Sequence, residues 1–196
     1  MTNTSQKSVA ETQRKLFDLI PQSRHVRIRD ITVGEIPAVA RFAAAHLPSL
    51  KLDDLSIFER IVQFDSTCIQ LFEAGGELVG VYAMLFLNRR GELALLDGQF
   101  DGTNPCFEHL AARSEKPAAI YTWFVACPGR AVTGFGNVAR LLQGGRYARA
   151  DLYARPASAA GLRLMLGIGY RPVSPDPNGL HQYLRIDLTE VIEQAA

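Results

Sequence analysis

Apolar and polar residues alternate over residues 25–31, the period of a strand with one buried face. Thr32 and Glu35 then stand three apart, the capping-box spacing that opens a helix. Ile36, Val39, Ala40, Ala43 and Leu47 follow at helical intervals, and Pro37 suits only the first turn. A second helix is predicted from Asp53 or Asp54, with Leu55, Phe58, Ile61 and Val62 as its apolar stripe. Residues 68–72 and 78–87 read as a hairpin around Glu73-Ala74-Gly75-Gly76-Glu77. Residues 88–117 read as irregular, with one short helix candidate between Pro105 and Arg113. The run 118–126 is apolar on both faces, which predicts a central strand. A glycine turn leads into a helix carrying Phe135, Val138, Leu141 and Leu142 on one face, stopped by Gly144-Gly145. Residues 149–155 predict a strand, Ser158 the N-cap of a helix through Leu166, and residues 181–186 a last strand with Leu184 and Ile186 on one face. The order β-α-α-β-β-β-α-β-α-β, with an insertion before the fourth strand, predicts a mixed α/β domain.

That domain is expected to span residues 23–188. Residues 1–22 form an N-terminal extension with a short helix around 12–20 that ends before Pro21, and residues 189–196 form a tail. A chain of 196 residues suits one such domain, and 47% hydrophobic with 21% charged residues is a globular composition. The net charge of +1 supplies no global attraction to nucleic acid or an anionic membrane. The start of the chain lacks an apolar leader, and the apolar run 79–87 is too short to cross a bilayer. Cys68, Cys106 and Cys127 are odd in number and widely spaced, which excludes a zinc ribbon and points to a reducing compartment. The expected location is the cytoplasm. His25, His46, His109 and His181 show no metal-ligand spacing, so no metal is expected.

The chemistry concentrates between Phe124 and Val138, where the central strand passes through Cys127-Pro128-Gly129 into a helix. Unpaired main-chain N–H groups and the helix dipole make such a junction an anion site, and glycine lets a phosphate approach the backbone. A P-loop would need Lys and Ser/Thr after the last glycine, where Asn137 and Val138 stand. A Rossmann fingerprint would need a third glycine where Ala139 stands, in a βαβ unit early in the chain.

The spacing from Pro128 to Gly134 and Gly136 resembles the G-x-G loop of the GNAT superfamily, whose members follow a central strand with a proline and a pyrophosphate-binding turn. A second block agrees: Asp151-Leu152-Tyr153-Ala154-Arg155-Pro156 through Gly169-Tyr170-Arg171-Pro172-Val173 resembles the family's fifth strand, fourth helix and closing G-[FY]-x-x-V. The resemblance covers about residues 23–187. It implies a mixed, mostly antiparallel sheet of about six to seven strands flanked by helices. It also implies acetyl-CoA or another acyl-CoA as co-substrate, a small-molecule or protein amine as acceptor, and no nucleic acid or membrane partner; a homodimer is compatible with it. The CoA contacts it implies are Phe124, Val125, Ala126, Ala131, Val132, Thr133, Gly134, Phe135, Gly136 and Ser158.

Three departures bear on catalysis. Ala131 replaces the usual Arg or Gln three residues before the first glycine, and Met165 stands where the family's fourth-helix tyrosine protonates the departing thiolate. The fourth strand also carries no carboxylate, so Asp97 and Glu108 are the candidates for the base. A pairing of Cys127 with His109 is the covalent alternative, although a buried, inert cysteine is the commoner state. From Arg130 to Arg171 there are seven arginines and one acid, which suits CoA phosphates. Residues 91–112 carry Glu92, Asp97, Asp101 and Glu108 with no Lys or Arg, which suits a cationic acceptor. A GNAT-like module that senses CoA or binds a partner without catalysis is the rival reading; an acyl-homoserine-lactone synthase lacks its N-terminal acidic and arginine signature here.

Overall fold

The computed structural model describes residues 20–47, 50, 55–173 and 179–183. The candidate helix at 12–20, the start of the second helix, Leu184, Ile186 and the C-terminal tail lie outside the described residues, Ile20 excepted.

Seven strands form one sheet: β1 (Arg27–Asp30), β2 (Ile69–Ala74), β3 (Glu77–Leu87), β4 (Ala119–Ala126), β5 (Asp151–Ala154), β6 (Arg171–Pro172) and β7 (His181–Tyr183). Their spatial order is β1-β2-β3-β4-β5-β7-β6, so the run that is apolar on both faces takes the centre. Every pairing is antiparallel except that of β4 with β5. The hairpin turns more tightly than the sequence suggests, on Gly75 and Gly76 alone, both at positive φ.

Among the described residues, five α-helices flank the sheet: α1 (Ile36–His46), α2 (Leu55–Phe64), α3 (Arg89–Leu96), α4 (Phe135–Leu142) and α5 (Ala159–Gly167). The capping box forms as its spacing predicts, with the Glu35 carboxylate accepting from the Thr32 backbone N–H at 2.9 Å and its hydroxyl at 2.7 Å. Phe124 and Val125 are adjacent in β4 and point to opposite faces of the sheet. Phe124 stacks with Phe58 of α2 at 5.8 Å, whereas Tyr82, the cross-strand partner of Val125, meets Phe135 of α4 edge-on at 5.4 Å. Helices therefore cover both faces, and the core is continuous from Val26 to Tyr183.

The insertion is more ordered than its sequence reads. Asn88 caps α3 by accepting from the Gly91 N–H at 3.0 Å, while its amide donates to the carbonyls of Glu108 at 2.8 Å and Leu110 at 3.0 Å. One side chain thus starts a helix and fastens the short 3₁₀ turn Phe107–His109 beside it.

Candidate functional site

The site begins where two strands part. β4 and β5 pair in parallel from Ala119↔Asp151 to Thr122↔Ala154, where β5 ends, while β4 runs on to Ala126. A bulge sits at the same point: β3 pairs Met84 with Thr122 and Ala83 with Phe124, so Trp123 is the extra residue. Bulges bend a strand and increase its twist, which turns the free half of β4 away from β5. Among the described strands, none pairs with residues 123–126 on the β5 side.

A cavity of about 440 Å³ fills this fork. One wall is β4, from Thr122 to Val125, together with Cys127. The facing wall is the segment leaving β5, from Ala154 to Ser158, and then Leu164, Met165 and Ile168 along α5. Tyr82, Val132, Phe135 and Tyr170 also border it, as do Leu47 and Leu50 at the end of α1. Ser158 caps α5 as its sequence position predicts, its hydroxyl accepting from the Gly161 N–H at 3.0 Å. Tyr170, from the Gly169–Val173 block, is buried against Tyr183 at 5.7 Å and helps close the cavity.

The turn after β4 is a 3₁₀ helix, Gly129–Gly134, that runs directly into α4. Pro128, Gly129, Arg130, Val132 and Thr133 are exposed, so its outer rim is open, while Ala131 and Gly134 are buried. The two glycines of the G-x-G face the protein. A Cβ on Gly134 would lie 2.6 Å from the Phe72 ring, and one on Gly136 would lie 2.1 Å from the Pro21 carbonyl oxygen. Both therefore admit neighbours within this chain. Gly136 accommodates a strap, residues 20–26, that lies on the first turn of α4. Asn137 holds the strap: its carbonyl accepts from the Ser23 N–H at 3.0 Å, and its amide donates to the carbonyls of Ser23 at 3.2 Å and Val26 at 2.6 Å. Thr133 adds a hydroxyl contact to Ser23 at 3.2 Å. The strap was not legible as part of this region, nor was the role of Asn137 in holding it, because 114 residues separate Ser23 from Asn137.

Of the expected CoA contacts, Phe124, Val125, Val132, Phe135 and Ser158 border the cavity; Ala126, Ala131, Thr133, Gly134 and Gly136 do not. Asp97 is exposed at the C-cap of α3, and Glu108 is exposed with Arg90 at 3.6 Å; neither reaches the cavity lining. The other acids of the insertion have local partners. Glu92 is buried between Arg89 at 2.5 Å and the Tyr153 hydroxyl at 3.4 Å. Asp101 accepts from Thr103, whose hydroxyl and N–H bonds hold its carboxyl below the usual range. No described residue from 88 to 117 lines the cavity, so the insertion does not present an acidic face to it.

Of the seven arginines, Arg155 borders the cavity, with its guanidinium 5.8 Å above the Tyr121 ring. Arg146 is committed elsewhere. It pairs with buried Asp65 and donates to the carbonyls of Ala112 at 2.9 Å and Arg113 at 2.6 Å. Cys127 borders the cavity, but burial pushes its thiol up to about 12, and His109 is not among the lining residues. A thiol so poorly ionised is a weak nucleophile, which removes the support for a covalent Cys-His route. Among the described residues, no three His, Cys, Asp or Glu side chains cluster to hold a metal, and no helix is long and apolar enough to span a membrane.

The arrangement of strands and helices superposes on a set of solved structures. An acetyltransferase of the GNAT family from Streptococcus agalactiae superposes with a TM-score of 0.53 at 13% identity, over 83% of this chain and 96% of that one. The chain has the GNAT fold. The structure of yncA from Salmonella typhimurium with its cofactor acetyl-CoA gives a TM-score of 0.52 at 14% identity, over 84% of this chain and 96% of that one. N-acetylglutamate synthase from Neisseria gonorrhoeae, complexed with coenzyme A and L-arginine, gives 0.51 at 14% identity over 84% of this chain. This chain spans about a third of that longer protein, 34% of which is covered. No protein-family model and no curated protein sequence matches the chain.

Proposed function

We propose that the protein is an acyl-CoA-dependent N-acyltransferase whose donor enters the fork between β4 and β5. The observation that carries this reading is the end of strand pairing at Thr122↔Ala154, beside a cavity of about 440 Å³. A pantetheine arm is an extended chain with two amides, and the free edge of β4 offers main-chain N–H and C=O groups at the spacing of a missing strand. The turn 129–133, exposed except at Ala131, leads into a helix and suits the negative end of the ligand. Arg155 adds a cation to the facing wall.

A bound acyl-CoA supplies a thioester carbonyl: the amine nitrogen bonds to its carbon, the C–S bond breaks, and the amine proton ends on the released thiol. The chain's own part is to exclude water and orient. Main-chain N–H groups past the bulge at Trp123 are the donors suited to the developing oxyanion. Neither Asp97 nor Glu108 borders the cavity, so the amine proton passes through solvent on its way to the departing thiolate. Met165 at the position expected for a tyrosine is the observation that favours the rival, a module that binds CoA without catalysis.

Thermal denaturation with CoA and acetyl-CoA tests the first step. Ligand at about 100-fold its dissociation constant adds about 2.7 kcal/mol when only the folded state binds. Val132→Glu places a carboxylate at an exposed cavity position, 40% accessible, and should weaken binding roughly ten-fold or more without unfolding the protein. Gly134→Asp is a poor probe because its side chain would collide with Phe72. Absence of any shift with CoA would sink the reading. A shift without thiol release across a panel of amines would leave the silent module.

A further inference from the structure

We propose that the acyl group of the donor is an apolar chain of several carbons, longer than acetyl. This rests on the reading of the fork as a CoA cleft. Three observations carry it. First, the polar side chains on the β3–β4 wall, opposite Arg155, bond within the protein. The Trp123 indole N–H donates to the Gly102 carbonyl at 2.7 Å, the Tyr82 and Thr122 hydroxyls bond each other at 2.9 Å, and the Cys127 thiol donates to the Val81 carbonyl at 3.6 Å. Their rings and methyl groups are what remains to meet a ligand.

Second, α5 has an almost wholly apolar sequence, Ala-Ala-Gly-Leu-Arg-Leu-Met-Leu-Gly, yet none of its nine residues is buried. Leu164, 37% accessible, and Met165 border the cavity. Short helices are held by packing of an apolar face, and here Met165 reaches the core while Leu164 and Leu166 stay exposed. Third, this surface is continuous with the fork. The same cavity is bounded by β4 and by the segment leaving β5, and it extends to Leu47 and Leu50 at the end of α1. The whole fork, pantetheine slot included, measures about 440 Å³, within the roughly 300–1,000 Å³ of sites that enclose drug-sized ligands. A donor entering along β4 carries its acyl chain into that apolar region. The transfer keeps the same balance: C–N forms, C–S breaks, and the amine proton ends on CoA thiol.

Binding of CoA, acetyl-CoA, butyryl-CoA and hexanoyl-CoA, measured by titration calorimetry without an amine, tests the inference. Each buried methylene should tighten binding roughly three- to four-fold, so hexanoyl-CoA should exceed acetyl-CoA on the order of a hundred-fold. Leu164→Trp, which narrows the cavity from an accessible helix position, should cut the hexanoyl-to-acetyl ratio roughly ten-fold. Equal or falling affinity with chain length, with CoA itself bound, overturns the chain inference and leaves the acyltransferase reading intact. Failure of CoA and every thioester to bind overturns both. A companion titration with n-butylamine and n-octylamine on acetyl-CoA-saturated protein assigns the apolar surface. A chain-length gain there, absent from the thioester series, gives the surface to the acceptor and overturns the proposal.

Discussion

A Cβ on Gly136 would lie 2.1 Å from the Pro21 carbonyl oxygen, and backbone cannot yield as a flexible side-chain tip would. Gly136→Ala should therefore push the strap from α4 and strain the three hydrogen bonds that Asn137 makes to Ser23 and Val26. Overpacking of this kind costs about 1–3 kcal/mol, read as a lower midpoint in urea denaturation. A midpoint equal to that of the wild type would mean the strap is not held there. Asp65 is a second residue with large leverage. It is 4% exposed, pairs with Arg146, and accepts from the Thr67 N–H at 3.1 Å and hydroxyl at 2.6 Å. Asp65→Ala leaves the Arg146 guanidinium, 15% accessible, without its carboxylate, and should destabilise the fold by about 3 kcal/mol in the same measurement. Neither role was legible beforehand. Gly136 reads as a phosphate glycine because the G-x-G pattern specifies small residues without saying what approaches them. Arg146 reads as a phosphate ligand because charge counting along a chain is blind to an acid 81 positions away.

At the scale of elements, local signals served well. The capping box at Thr32 and Glu35, the N-cap at Ser158 and the hairpin glycines each depend on neighbours within a few residues, and each forms. Helix α3 escaped because its cap, Asn88, is also tied to the carbonyls of Glu108 and Leu110, contacts that no short window contains. The join between β1 and α1 has a pH signature. Arg29 donates to Glu35 at 2.5 Å and 2.9 Å and to Glu73 at 2.8 Å, and this bonding holds the Glu35 carboxyl down at about 2. An unfolded glutamate titrates near ~4.3, so the contribution is fully present above that value and is lost as pH falls toward about 2. The Glu35 side chain is 32% accessible, so solvent screening limits the effect to about 1 kcal/mol. Urea melts from pH 6 to pH 2 should show Glu35→Gln flattening part of the acid loss. Parallel curves for the two proteins would remove the carboxylate from the account.

For the whole molecule, the architecture was legible and the working geometry was not. Element order and apolar patterning sufficed for a mixed α/β domain with a buried central strand, and the GNAT resemblance supplied the mostly antiparallel sheet, which is the sheet observed. The fork depends on where β4 and β5 stop pairing and on a bulge at Trp123, both set by contacts between segments about 30 residues or more apart in sequence. The cavity walls likewise draw on α1, β3, β4 and α5, which no local motif joins. The strap has a practical corollary. Residues 20–26 lie before the first strand and look dispensable in a sequence trace, yet they brace the helix that follows the β4 turn. A cut placed just ahead of β1 would remove the Ser23 and Val26 partners of Asn137 and leave the first turn of α4 uncovered.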